Sequence, residues 1–107
     1  MPRVYNVLGQ TLYALGENEE ALICFQKSLA ANLSDFKDIN DINQPTFIQN
    51  PFRSEHVLTA LHEKAITLEA INTEKSKQQA LNTYQLAIKW METTRQSMAF
   101  DASKENL

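Results

Sequence analysis

Glycine and cysteine are almost missing from this chain of 107 residues, which has two of the first and one of the second, beside three prolines and one tryptophan. A single cysteine excludes an internal disulfide framework. Cys24 falls beside Phe25 in an apolar helical stretch, where a buried, inert thiol is the plain reading. With Gly9 and Gly16 as the only glycines, there is no glycine-rich loop to cradle a phosphate. No apolar run approaches the ~20 residues that a membrane helix needs, and no signal-peptide pattern opens the chain. A cytoplasmic setting is therefore expected. Basic charge is not in excess either: the net charge is −3 and the pI is near 5.3. That balance argues against nucleic acid or an anionic membrane as the partner.

Groups that carry chemistry are equally scarce. His56 and His62 lie six apart, the wrong spacing for one helical face, and no carboxylate–histidine pattern surrounds them, so no metal site is expected. A Cys24–His56 dyad has no support from spacing. Arg3, Arg53, Arg95 and the seven lysines are scattered and read as solvated faces. Trp90 and Tyr84 have apolar neighbours, which favours core packing over a stacking platform. No catalytic residue and no cofactor are expected, and the chain does not read as an enzyme.

What is present is helical pattern. Hydrophobic content of 43% and charged content of 21% are ordinary for a globular domain. The few helix breakers leave an all-α reading, as one domain over 1–107. Four helices are expected, near 2–15, 18–32, 55–73 and 76–99.

In the first helix Tyr5, Leu8, Gly9 and Leu12 share one face. Val4, Val7, Thr11 and Ala14 form a second, mostly apolar one, and Arg3, Asn6, Gln10 and Tyr13 a polar stripe. Gly9 costs roughly 1 kcal/mol against alanine in mid-helix, so a close approach by the Ala21 region of the next helix is expected. Gly16 is placed to end this helix in a left-handed cap, and Asn18 to cap the second. Glu19 and Glu20 follow in the positive first turn. The second helix packs Ala21, Leu22, Phe25, Ser28 and Leu29.

From Leu33 to Ser54 the helical period fails. Phe36, Ile39, Ile42, Phe47, Ile48 and Phe52 are too many apolar groups for a disordered linker. A short helical turn near Asp35–Ile42 and an extended strap are expected, either covering core or occupying a ligand groove. A third helix after Ser54, its N-cap, carries Leu58, Leu61, Ala65 and Leu68. The fourth carries Ala80, Leu81, Tyr84, Ala87, Ile88 and Met91. Leu61-x3-Ala65-x2-Leu68 echoes Tyr5-x3-Gly9-x2-Leu12, and Ala80-x3-Tyr84 echoes Ala21-x3-Phe25. The link from Leu68 to Ala80 is three residues longer than that from Leu12 to Ala21, which points to a longer turn around Asn72–Lys77. Helix is expected to reach about Phe100.

The stretch from Tyr5 to Leu33 closely resembles a tetratricopeptide (TPR) repeat, whose signature is W-x2-L-G-x2-Y followed by A-x3-F over 34 residues. Tyr5 stands for the Trp, Leu8-Gly9 match, Leu12 replaces the Tyr, and Ala21 and Phe25 match. The usual final Pro is missing, with Leu33 near its place. The resemblance implies two TPR-like antiparallel hairpins: repeat 1 over 2–34, an insertion over 35–54, a divergent repeat 2 over 55–100 and a tail over 101–107.

It also implies a protein-interaction module whose first helices line a peptide-binding groove. Carried over by position, that groove holds Arg3, Asn6, Gln10 and Tyr13, with Thr59, His62 and Glu69. The alternative is an unoccupied polar face. The second face of the first helix, Val4, Val7, Thr11 and Ala14, has no cover within the chain. Either it buries in a homo-oligomer, or the chain is part of a longer array.

A narrower resemblance covers most of Val57–Leu107. The helix ALHEKAITL, then ALNTYQLAI, then Arg95, Ser103 and Lys104, is similar to the TPR region of CHAT proteins, in which helical repeats precede a caspase-like peptidase domain. In that pattern a basic residue and a short link precede the SK stretch. The resemblance implies a regulatory or docking role in a peptidase system. The alternatives are a stand-alone TPR assembly protein and, third, a hydrolase.

Overall fold

The computed structural model describes residues 2–33, 36, 38–45 and 55–105, the last part from residue 93 by its backbone alone, as also Pro2, Asn32 and Glu55. Four helices make up the fold: α1 (Pro2–Ala14), α2 (Asn18–Asn32), α3 (Glu55–Ile71) and α4 (Glu74–Glu105). Among the described residues there is no strand. Helix α1 folds back on α2, α2 packs on α3, α3 folds back on α4, and α1 also touches α3. This is the all-α, TPR-like arrangement of helical hairpins.

The first turn is built as its residues require. Gly16 has φ +83°, a conformation that costs an L-residue about 1–2 kcal/mol. That conformation lets Gly16 N–H donate to Tyr13 O at 3.0 Å and Glu17 N–H to Leu12 O at 2.8 Å, a Schellman closure of α1. Asn18 does not cap α2. It is already inside the helix, and Glu17 holds the cap position without a side-chain hydrogen bond.

The second turn differs from expectation. Only Asn72 and Thr73 separate α3 from α4, so the three additional residues lengthen the helices instead of the turn. Asn72 takes φ 62°, and Thr73 caps α4. Ser76 N–H donates to Thr73 Oγ1 at 3.0 Å, and Thr73 N–H donates to Ser76 Oγ at 2.8 Å. This reciprocal box satisfies two donors that a helix start would otherwise leave open. At the other end, α4 continues through Arg95, Ser103 and Lys104 to Glu105, with no link among these described residues. Its 32 residues span about 48 Å, most of the 52 Å length of the molecule.

The core follows the small-residue pattern. Ala21, Leu22, Phe25, Ser28 and Leu29 of α2 are buried, as are Leu61, Ala65 and Leu68 of α3. Gly9 is buried against α2, where it meets the ring of Phe25, one turn beyond Ala21. Along α4 the expected stripe splits. Ala80 and Ala87 are buried and Tyr84 is half-buried, while Leu81, Ile88 and Met91 are exposed, because no further helix among the described residues lies over them. Leu8 is likewise exposed on α1. Trp90 packs at the edge of the cluster formed by Leu29, Val57, Ala60, Leu61 and Ala87.

The insertion is held mainly by polar side chains. Its described part has no helical turn. Two successive Asx turns replace it, with Asn40 N–H on Asp38 Oδ1 and Asn43 N–H on Asp41 Oδ1, each at 3.1 Å. Buried Gln26 of α2 donates to Asp41 O at 2.8 Å, Lys64 of α3 donates to Gln44 O at 2.7 Å, and Gln79 of α4 donates to Asn43 Oδ1 at 3.2 Å. Each such bond contributes about 0.5–1.5 kcal/mol net. Phe36 is buried, and Ile42 packs on Leu22, Leu68 and Ala80. Residues 38–45 therefore cover core. Phe47, Ile48, Phe52 and the expected cap Ser54 lie outside the described residues.

Lys64 is thus no solvated cation. Burial brings its pKa down from 10.5 to about 7, opposed by the nearby Asp41 charge.

Candidate interaction groove

Packing α1 against α3 sets the faces of two equivalent helices side by side, and the expected groove residues divide there by role. Asn6 is buried, not open to a ligand: its Nδ2 donates to His56 O at 3.2 Å and ties α1 to the start of α3. Gln10 is exposed, and its Nε2 donates to Glu63 Oε1 at 3.3 Å. Arg3, His62 and Glu69 are exposed, and Tyr13 and Thr59 are half-buried.

A cluster emerges on the α3 surface that lies between α1 on one side and α4 on the other. The rings of His62 and Tyr84 lie edge to face with centroids 6.4 Å apart. Burial raises the pKa of the Tyr84 hydroxyl, and the charge of Glu69 with its hydrogen bond, then Tyr13 and Glu63, push the same way. The hydroxyl thus stays protonated and donates to the Glu69 carboxylate. Tyr13 from α1, His62, Glu63 and Glu69 from α3, and Tyr84 from α4 stand together. Tyr84 and Glu63 are additions to the expected set. Tyr84 reads from sequence as the counterpart of core Phe25, and only its hydroxyl distinguishes the position. Glu63 shows itself only through its bond to Gln10.

Two carboxylates beside two phenol rings suit a cationic side chain, through charge-assisted hydrogen bonds and the ring faces. They oppose a carboxylate terminus. The described insertion residues bond to α2, α3 and α4 elsewhere and do not fill this groove. A separate hollow lies between the insertion and α4, lined by Ile42, Pro45, Gln79, Thr83, Leu86 and Lys89.

Cys24 is buried and burial pushes its thiol pKa up, which fits an inert thiol. Among the described residues no three His, Cys, Asp or Glu side chains stand together as a metal site would need. None of the described helices is long and apolar enough to cross a membrane. Val4, Val7, Thr11 and Ala14 are all exposed, so the second face of α1 is uncovered by any described residue.

No curated protein and no solved structure matches the chain. A family model does match: that of the tetratricopeptide repeat, over residues 2–35, and with the hairpin geometry it supports reading this chain as a TPR repeat protein.

Proposed function

We propose that the chain is a protein-interaction module that binds an extended peptide segment bearing a basic residue along the α1–α3 groove. The observation that carries this reading is the convergence of Tyr13, His62, Glu63, Glu69 and Tyr84 from three helices on one surface. TPR repeats generally mediate protein binding, and the acidic and aromatic groups here supply a recognition chemistry. Gln10 and Thr59 add groups that hydrogen-bond a peptide backbone. This reading assigns the groove binding and no catalytic step.

A display selection of random peptides on the wild-type chain tests it, with Glu63→Gln/Glu69→Gln as counter-screen. Selected peptides should share a Lys or Arg, and the double variant should bind them at least tenfold more weakly. Selected peptides without basic residues, or equal binding by the variant, would refute the proposal.

The finer setting we propose is a docking role in a CHAT-type peptidase system. The ALHEKAITL and ALNTYQLAI helices support it, and a caspase-like peptidase encoded in frame or next to this chain would test it. One observation favours the stand-alone alternative: α4 runs unbroken through Arg95–Glu105, where the CHAT-type pattern has a short link. The uncovered face Val4, Val7, Thr11 and Ala14 is proposed as a second contact surface, used in self-association.

A further inference from the structure

The second hairpin repeats the first, and the correspondence shows what each open end is built to meet. Ala80, Leu81, Tyr84 and Ile88 of α4 stand where Ala21, Leu22, Phe25 and Leu29 stand in α2. In α2 the outer pair of these, Leu22 and Leu29, packs with Leu68 and with Val57, Ala60 and Leu61 of α3, leaving them 5% and 0% exposed. Their counterparts Leu81 and Ile88 are 49% and 51% exposed, because no described helix takes the place of α3 beside α4.

The other end is the complement. Tyr5, Gly9 and Leu12 of α1 correspond to Leu61, Ala65 and Leu68 of α3, so Val4 corresponds to Ala60. Ala60 is fully buried in the cluster that contains Leu29, whereas Val4 is 54% exposed. The outer face of α4 is therefore of the α2 kind, and the outer face of α1 is of the α3 kind. These are the two halves of one interface, which the chain already closes once inside itself.

We infer that the chain assembles head to tail with second copies of itself, α4 of one copy covering α1 of the next as α2 covers α3. The inference takes up the self-association proposed for α1 and supplies the surface that covers it. The repeat register sets Ile88 against Val4 and Tyr5, as Leu29 meets Ala60 and Leu61, and sets Leu81 towards Leu12, as Leu22 shares a cluster with Leu68. Such a contact joins two different surfaces and leaves one of each free, so it grows as a ladder of oligomers. Pairing α1 with α1 would close a dimer but leave Leu81, Ile88 and Met91 in water.

Sedimentation velocity of the wild type, Val4→Glu, Ile88→Glu and the equimolar mixture of the two variants tests the inference. The wild type should form a concentration-dependent ladder in the micromolar range. Each variant alone should be a monomer, because one of its two ends is spoiled. The mixture should give a species of two chains and nothing larger, since one intact end of each kind remains. Ile88→Glu associating like the wild type, a monomeric mixture, or a wild-type monomer at high micromolar concentration would overturn it. Circular dichroism checks that the variants fold, and Val4→Asn with Ile88→Asn replaces the pair if either glutamate unfolds the chain. None of these positions lies in the peptide groove, so peptide binding by the same variants stays a separate readout.

Discussion

Gly9 and Phe25 meet so closely across the first hairpin that a β-carbon on Gly9 would lie 2.6 Å from Cε1 and 2.8 Å from Cζ of the Phe25 ring. Phe25 is fully buried, so its ring has little room to give way. This contact sets the separation of α1 and α2, and with it the position of the groove face of α1.

Gly9→Ala should therefore destabilise the chain, although alanine favours a helix interior by about 1 kcal/mol. Overpacking should outweigh that gain, and Gly9→Leu should cost on the order of 1–3 kcal/mol. Urea unfolding checks both. In a Phe25→Leu background the penalty of Gly9→Ala should shrink or reverse, as coupled neighbours do. An unchanged Tm for Gly9→Leu would remove Gly9 from this contact.

The two turns make opposite demands on their residues. Gly16→Ala meets no neighbour within 4 Å, yet φ +83° alone should cost about 1–2 kcal/mol. Thr73→Ala breaks the box with Ser76 and should cost about 1 kcal/mol, while Asn18→Ala should be nearly silent because Asn18 is not a cap. Thermal unfolding of the three variants gives the order directly. A larger loss for Asn18 than for Thr73 would contradict the observed caps.

Lys64 gives stability a pH dependence of known sign. Its pKa is about 7 when folded and near the ordinary 10.5 when unfolded, so between those values the unfolded chain binds more protons. Stability should thus rise with pH through that window, by at most about 1.4 kcal/mol per unit. Below about pH 7 the cost of holding the ammonium in the core is felt in full. Lys64→Met should flatten the rise, as read by urea unfolding between pH 6.5 and 9.5. A wild-type curve that is flat, or that falls over this range, would contradict the buried placement of the amine.

The hairpins were legible in the sequence because the small positions, Gly9, Gly16 and Ala21, each answer one geometric demand. What stayed hidden depends on distant partners. Lys64 shows a charge in sequence, and only the fold brings Gln44 O over it. Asn6 looks like a surface amide until α3 arrives beside it. The longer link of the second hairpin suggests a longer turn in sequence, since helix extension and turn extension add the same number of residues. The Thr73–Ser76 pair marked the true helix start. For the groove, the α1 and α3 stripes were readable from position, but the contribution of Tyr84 from α4 was not, because its repeat counterpart is a core phenylalanine.

The central claim is that partners dock in the α1–α3 groove and that the ends of the array serve assembly alone. The most direct measurement is a capture experiment with three baits: wild type, Tyr13→Ala/Glu69→Lys in the groove, and Val4→Glu/Ile88→Glu at the ends. Circular dichroism confirms that each is folded, and each retained protein is identified and then titrated in purified form. The account predicts a partner retained by the wild type and by the end variant, and weakened at least tenfold by the groove variant. Equal binding to the groove variant, with loss on the end variant, would contradict it.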